Sequence, residues 1–347
     1  MKAIPDPKNF DSNSAFNAWI DAKFAESNDG ELTIFGKTLR PSEVLHRLGY
    51  DGYETAFQQF KESREESLID VVTTQFPIII AHPFSRFLEG SEHEVQRLQF
   101  LRDTWEGLIN FTHALAVGEA RQMRLVLVAS AKCGQILSDR LADRISTVED
   151  ILHVATNAGL TLEAAKIINP ATMGTVRELN QTRNAFSHTA APSEDQATQY
   201  ISECIDDVFD VLEAFLPLKD VRLLRYERLD GAQLRHERFD GDSMTRRFAF
   251  VPLSPSALAA AVTLFKRDET LLLVGGKLFS VKPLLHFIPH PAGHVTQVAF
   301  FKKAKGAAPD RRLVFEIVGE SREVEESRTP FQPIINDIRS LFGQPPE

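Results

Sequence analysis

Between positions 95 and 115, Val95, Leu98, Leu101, Trp105, Leu108, Ile109, Thr112 and Leu115 recur at intervals of three and four, which predicts one long helix with a broad buried face. A second apolar stretch covers Arg121 to Ala131, and the same rhythm returns from Ile136 to Ala155 through Leu141, Ile145, Val148 and Leu152. A short helix is expected over Thr161 to Asn169, stopped by Pro170, and another from Thr172 to Phe186. Beyond Pro192, Ser193 and Gln196 have the spacing of a capping box, and Ala197, Tyr200, Ile201, Cys204, Ile205, Val208, Val211, Leu212 and Phe215 mark a single apolar face. From Pro77 to Leu216 the strong signals are all helical, and together they predict a bundle.

At Pro217 the period changes. The runs VRLLRYE, RRFAFVP, TLLLVGGKLFSV, HVTQVAFFKK and RLVFEIVGE are short, rich in β-branched and aromatic residues, and bounded by Gly, Pro and Asp. Gly275-Gly276 marks a hairpin turn and lacks the downstream Gly, Lys and Ser/Thr of a phosphate loop. Residues 330–342 close the chain with a helix. Upstream of the bundle, helical patterns around Asn13 to Phe24 and Pro41 to Arg64 flank LTIFGKTLR, which alternates like a brief hairpin around Gly36. The expected fold is multidomain α+β: a small α-rich N-terminal module at 1–73, a central all-α bundle at 74–217, and a β-rich C-terminal domain at 218–347. A chain of 347 residues accommodates two or three such cores.

Composition narrows the function classes. The longest apolar runs, Phe76 to Ala81 and Leu125 to Ala131, fall far short of the roughly 20 residues of a membrane span. The polar, acidic N-terminus does not resemble a secretory signal. Two cysteines, Cys133 and Cys204, argue against a disulfide framework and favour a reducing, cytoplasmic setting. The net charge of −9 divides unevenly: 8 basic against 13 acidic residues in 1–73, 11 against 19 in 74–217, and 20 against 16 in 218–347. Bulk packaging of nucleic acid is thereby excluded, because it needs a dense cationic surface. A local catalytic site for a short single strand remains compatible, and the basic last third supplies charge for one.

The candidate chemistry lies in RELNQTRNAFSHT, residues 177–189. Arg183 and His188 are separated by four residues, a spacing that 25 arginines and 10 histidines produce about 0.7 times by chance. Requiring Asn, His or Asp directly after the arginine, as Asn184 provides, lowers that expectation to about 0.08. Along the expected helix the apolar positions Val176 and Leu179 lead to Arg183, so a guanidinium occupies a place the period reserves for core or interface. Buried without a partner it would cost several kcal/mol, so a carboxylate, a second subunit or a phosphate should meet it. Five residues turn an ideal helix by about 140°, so Arg183 and His188 cannot serve one spot from a single straight helix. Two copies about a two-fold axis would bring two arginines and two histidines into one cleft, suited to cutting a phosphodiester without metal. One imidazole would take the 2′-OH proton and another would protonate the leaving 5′ oxygen, while Asn184 orients an imidazole or a phosphate oxygen.

Arg183-Asn184-Ala185-Phe186-Ser187-His188, late in an all-helical bundle and ahead of a last amphipathic helix, resembles the HEPN superfamily. The resemblance covers roughly residues 74–217. It implies an endoribonuclease that acts as a homodimer with a composite site and no cofactor. It also implies a setting in toxin–antitoxin, abortive-infection or CRISPR-linked systems, with a partner protein or antitoxin. In such domains an acidic residue on the long helix often faces the motif, which nominates Glu106 and, after it, Asp103.

Other residues carry weaker signals. Arg177 joins the polar stripe of Asn180, Asn184 and His188 and is a candidate RNA contact, although a solvated helix position explains it equally simply. Lys302, Lys303 and Lys305 follow Phe300-Phe301, a composition that tracks nucleic acid when exposed on a strand and otherwise marks a charged strand end. His286, His290 and His294 share a four-residue spacing, but Pro289 and Pro291 prevent the helix a zinc site would need there, and no metal is expected. The 25 phenylalanines, scattered over all three regions, are expected to fill cores. A non-catalytic dimeric interaction module with the β-rich region as its working surface is the alternative reading.

Overall fold

The computed structural model describes residues 8–27, 32–34, 37–91, 93–127, 137–187, 192–243, 247–289, 296–306, 311–320 and 322–344. Its contacts divide the chain into two compact units, Met1–Asp70 and Val71–Glu347.

In the first unit, helices α1 (Ser14–Ser27) and α2 (Pro41–Leu48) and the start of α3 (Tyr50–Gln75) surround an aromatic core of Phe16, Ile20, Tyr53, Phe57 and Phe60. Strands β1 (Thr33–Ile34) and β2 (Lys37–Thr38) pair antiparallel as the short hairpin the alternation suggested. One helical pattern over 41–64 becomes two helices because the chain breaks at Gly49, which closes α2. No side chain of its own caps α2; the Asp21 carboxylate of α1 accepts the Ser42 amide at 2.8 Å instead. Tyr53 donates to Asn17 Oδ1 at 2.6 Å, satisfying both polar groups inside the aromatic core.

The second unit is built around α5 (Glu94–Gln122), whose residues are buried almost continuously from Thr104 to Ala120. A helix buried on all sides needs cover on all sides. Helices α4 (Ile78–Glu89), α6 (Leu141–Asn157), α7 (Glu163–Ile167), α8 (Pro170–Ser187) and α9 (Glu194–Ala214) all pack on it. The expected capping box opens α9: Ser193 Oγ accepts the Gln196 amide at 3.3 Å, and Gln196 Oε1 accepts the Ser193 amide at 3.0 Å.

Two antiparallel sheets follow. Strands β3 (Arg222–Asp230), β4 (Gln233–Arg238), β5 (Arg247–Pro252), β6 (Thr270–Val274) and β7 (Lys277–Ser280) form one in the order β5-β4-β3-β6-β7. Helix α10 (Pro255–Leu264) supplies Ala257 and Ala261 to a core shared with Leu224, Leu234, Leu271 and Leu278 of that sheet. Strands β8 (Leu285–Pro289), β9 (Thr296–Lys305), β10 (Arg312–Ile317) and β11 (Glu323–Ser327) form the other, in the order β11-β10-β9-β8, and α11 (Gln332–Leu341) ends the unit.

The sequence separates 74–217 from 218–347, whereas the structure places both in one compact unit. The change of period at Pro217 is a change of layer, because α5 is itself a shared core element. Gly118 of α5 approaches Phe279 and Val281, Arg121 donates to the Ser280 and Lys282 carbonyls and pairs with Asp337 of α11, and Leu127 donates its amide to the Leu341 carbonyl.

Gly107 sets the separation of α4 and α5. A Cβ there would lie 2.2 Å from the Ile79 carbonyl oxygen, a backbone atom that cannot step aside. Gly107→Ala is expected to cost about 3 kcal/mol through overpacking. A urea midpoint matching wild type would show that the two helices can part without penalty.

Candidate functional site

Helix α8 presents Met173, Val176, Leu179 and Asn180 to the interior. Arg183 and Asn184 lie in its last described turns, and the described part of the helix runs to Ser187. Asn184 is half-buried and has a bonding partner. The backbone of Arg183 is described but its side chain is not, and His188 lies outside the described residues. The stripe from Met173 through Val176 to Leu179 follows the sequence period, and Arg183 is its next position.

Arg177 is engaged. Its Nε meets Glu149 Oε1 of α6 at 3.0 Å, and its second nitrogen meets the other oxygen of the same carboxylate. Such a fork-to-carboxylate pair joins α8 to α6 and occupies the charge the sequence offers to RNA.

Asp103 and Glu106 project from α5 toward the four-stranded sheet. Arg102 holds Asp103 at 2.9 Å and approaches Glu106 at 3.6 Å. Both carboxylates share a small cleft with Phe300 and Glu316. Lys302 reaches the same seam, pairing with Glu316 at 2.6 Å and Glu323 at 2.9 Å. The structure thus gathers Asp103, Glu106 and Lys302 between α5 and the sheet, and none of these partners lies on α8. Lys305 pairs with Glu325 at 2.6 Å, and Lys303 is half-buried opposite Val314. Two of the three lysines therefore pair with carboxylates of the neighbouring strands.

Burial pushes the Asp103 carboxyl up to about 6 against the opposing pull of Arg102, while Glu106 and Glu316 add to the rise. An aspartate in an unfolded chain titrates near 3.9 (about). Between about pH 4 and 6 the folded protein holds the extra proton, so this group favours folding at low pH and loses that contribution as pH rises through 6. Asp103→Asn is expected to gain roughly 1–3 kcal/mol on wild type between pH 4 and pH 8. Urea titrations at the two pH values check this, and a constant difference between the proteins would contradict it.

Sequence reasoning passed over Arg144 of α6, which is 4% exposed. It donates to Asn110 Oδ1, to the Phe301 carbonyl at 2.7 Å, to the Lys302 carbonyl at 3.3 Å and to the Ser138 carbonyl at 3.2 Å. Burial pushes this guanidinium down to about 10, which leaves it charged at neutral pH. Burial, assisted by Arg144, pushes the His113 imidazole down to about 3, so it stays neutral. The signal was available: Arg144 falls between Leu141 and Val148 on an apolar stripe, as Arg183 does on its own helix.

No family model, curated protein or solved structure matches this chain. Its function must be argued from its own residues.

Among the described residues no group of three His, Cys, Asp or Glu side chains is placed to hold a metal ion. His286, on β8, pairs with Glu326 at 3.2 Å, and His290 and His294 lie outside the described residues. No described helix is long and apolar enough to cross a membrane.

Proposed function

We propose that the chain is a metal-independent endoribonuclease that works as a homodimer, with Arg183, Asn184 and His188 of both copies forming one site. The observation that carries this reading is the position of Arg183 and Asn184 on α8, one turn beyond an apolar stripe, Met173, Val176 and Leu179, that is buried. On this reading His188 leaves the line of the helix, because five residues along one straight helix would separate it from Arg183 by about 140°. The histidines act as general base and acid on the 2′-OH and the 5′ oxygen, and the arginines stabilise the charged phosphorus centre. Together with the resemblance to HEPN domains, this chemistry supports a cytoplasmic toxin or antiphage effector, restrained by a partner protein or antitoxin.

The decisive experiment is RNA cleavage in EDTA by the purified wild type and by a protein lacking Arg183 and His188. Products ending in 2′,3′-cyclic phosphate support the mechanism, and equal activity of the two proteins removes it. A second reading, a non-catalytic dimeric interaction module, is favoured by the engagement of Arg177, Lys302 and Lys305 with carboxylates. It predicts a dimer that cuts no RNA.

A further inference from the structure

Strand β5 is an edge of the five-stranded sheet, and two of its phenylalanines do not fill a core. Phe248 is 44% exposed and Phe250 is 51% exposed, against the expectation for phenylalanine drawn from the sequence. They alternate with Ala249, so both rings stand on one face. Across the sheet, Phe250 is level with Arg235 of β4, and Arg235 is level with Arg228 of β3. The adjacent row runs from Phe248 to Glu237 and Arg225. One face therefore presents two rings at the rim and guanidinium groups immediately inside.

The charges on this face are not balanced. Arg225 is neutralised by Glu237 at 3.1 Å and Asp268 at 2.6 Å, and Arg235 pairs with Glu227 at 2.9 Å. Arg228 is exposed, as is Arg267, which lines a shallow cleft beside Phe248. Neither has an ion-pair partner among the described residues. The Arg235 guanidinium lies 5.3 Å from the centre of the Phe248 ring, so a cation is already stacked at the rim.

We propose that these rows form a binding platform for single-stranded RNA. Bases stack on Phe250 and Phe248, and Arg228 and Arg267 meet the phosphates. Exposed rings next to cations serve this purpose because every base has a π-face and every linkage a charge. Residues two apart on a strand are about 6.8 Å apart, twice the spacing of roughly 3.4 Å between nucleotides in a duplex strand. The rings thus suit splayed bases of a single strand and not a stacked helix. The assignment to RNA, as opposed to another single-stranded polyanion, rests on the ribonuclease reading; the platform itself rests on the sheet.

The test measures fluorescence anisotropy of a fluorescein-labelled 2′-O-methyl oligouridine 12-mer in EDTA, a probe that the proposed chemistry cannot cut. Wild type is expected to bind it at least tenfold more tightly than a 12-base-pair 2′-O-methyl duplex. Phe250→Ala should weaken binding about tenfold and the Phe248→Ala/Phe250→Ala protein about 100-fold, within the range for loss of one and two stacked bases. Phe250→Trp should retain affinity, and Arg228→Glu should weaken binding and flatten its salt dependence. Circular dichroism and urea midpoints confirm that the variants are folded. The platform is overturned if wild type fails to bind the 12-mer at 100 µM protein (about), if the duplex binds equally well, or if the double phenylalanine variant binds like wild type. Binding without cleavage of unmodified RNA would defeat the ribonuclease reading alone. Cleavage with KM unchanged in the phenylalanine variants would defeat the platform alone.

Discussion

Cleavage of single-stranded RNA in EDTA is expected to fall at least about 10³-fold when Arg183→Ala and His188→Ala are combined. A positioned acid or base contributes roughly 10²–10⁴, and electrostatic stabilisation of the phosphorus centre adds a further large factor. Losses in such a unit do not add, because the proton path and the charge clamp serve one transition state. Each single variant should therefore approach the double variant. The dimeric arrangement adds a sharper expectation. A homodimer of Arg183→Ala lacks both arginines, and a homodimer of His188→Ala lacks both histidines, but their heterodimer retains one of each. That heterodimer has one imidazole for two proton transfers, so mixing the two inactive proteins under conditions that exchange subunits should restore at most a small fraction of wild-type cleavage. Wild-type rates from such heterodimers, detected by differential tagging, would exclude a site that uses the histidines of both copies.

The ribonuclease proposal is exposed to a structural comparison within the same molecule. Arg144 and Arg183 give the same sequence signal, a cation where the apolar period calls for a core residue. For Arg144 the structure supplies the answer: four groups of the protein itself satisfy the guanidinium, two of them carbonyls of a strand more than 150 residues away in sequence. Periodicity can show that such an arginine needs a partner. It cannot tell an internal carbonyl from a phosphate or a second subunit, because those partners arrive through tertiary packing.

The same distinction explains what was legible elsewhere. The long helix α5, the Ser193 cap and the strands β3, β5, β6, β9 and β10 announce themselves through local period and turn residues. Strand β4, with the sequence QLRHER, does not, because Leu234 is its one apolar side chain in the α10 core and polar or charged residues fill every other position. Helix α10 was legible and was passed over: Ser254 accepts the Ala257 amide, and Pro255 opens the first turn. The pairing of Lys302 with Glu316 and Glu323, and of Lys305 with Glu325, depends on the register of β9, β10 and β11, which the run FFKKAK does not encode. Phe248 and Phe250 belong to the same class. Their strand was visible, but their exposure follows from β5 being an edge.

Arg144→Ala is expected to destabilise the second unit by about 2–5 kcal/mol, from buried acceptors left unsatisfied and from the cavity that truncation opens. Truncation leaves the Asn110 side-chain oxygen and the Phe301 carbonyl without this donor, and leaves a void between α5, α6 and β9. Arg144→Lys should recover only part of the loss, because one ammonium cannot reproduce a planar fork that bonds Asn110, Phe301 and Ser138 in three directions. Arg144→Met separates charge from shape. It fills much of the volume and removes the desolvation cost of the cation, yet still abandons the carbonyls, so its stability should fall between those of the alanine variant and wild type. Urea unfolding of the intact chain, followed by a probe in the second unit, gives the order. If Arg144→Ala is as stable as wild type, the network is not what holds the four-stranded sheet to α5 and α6, and the apolar contacts of that seam must carry it alone.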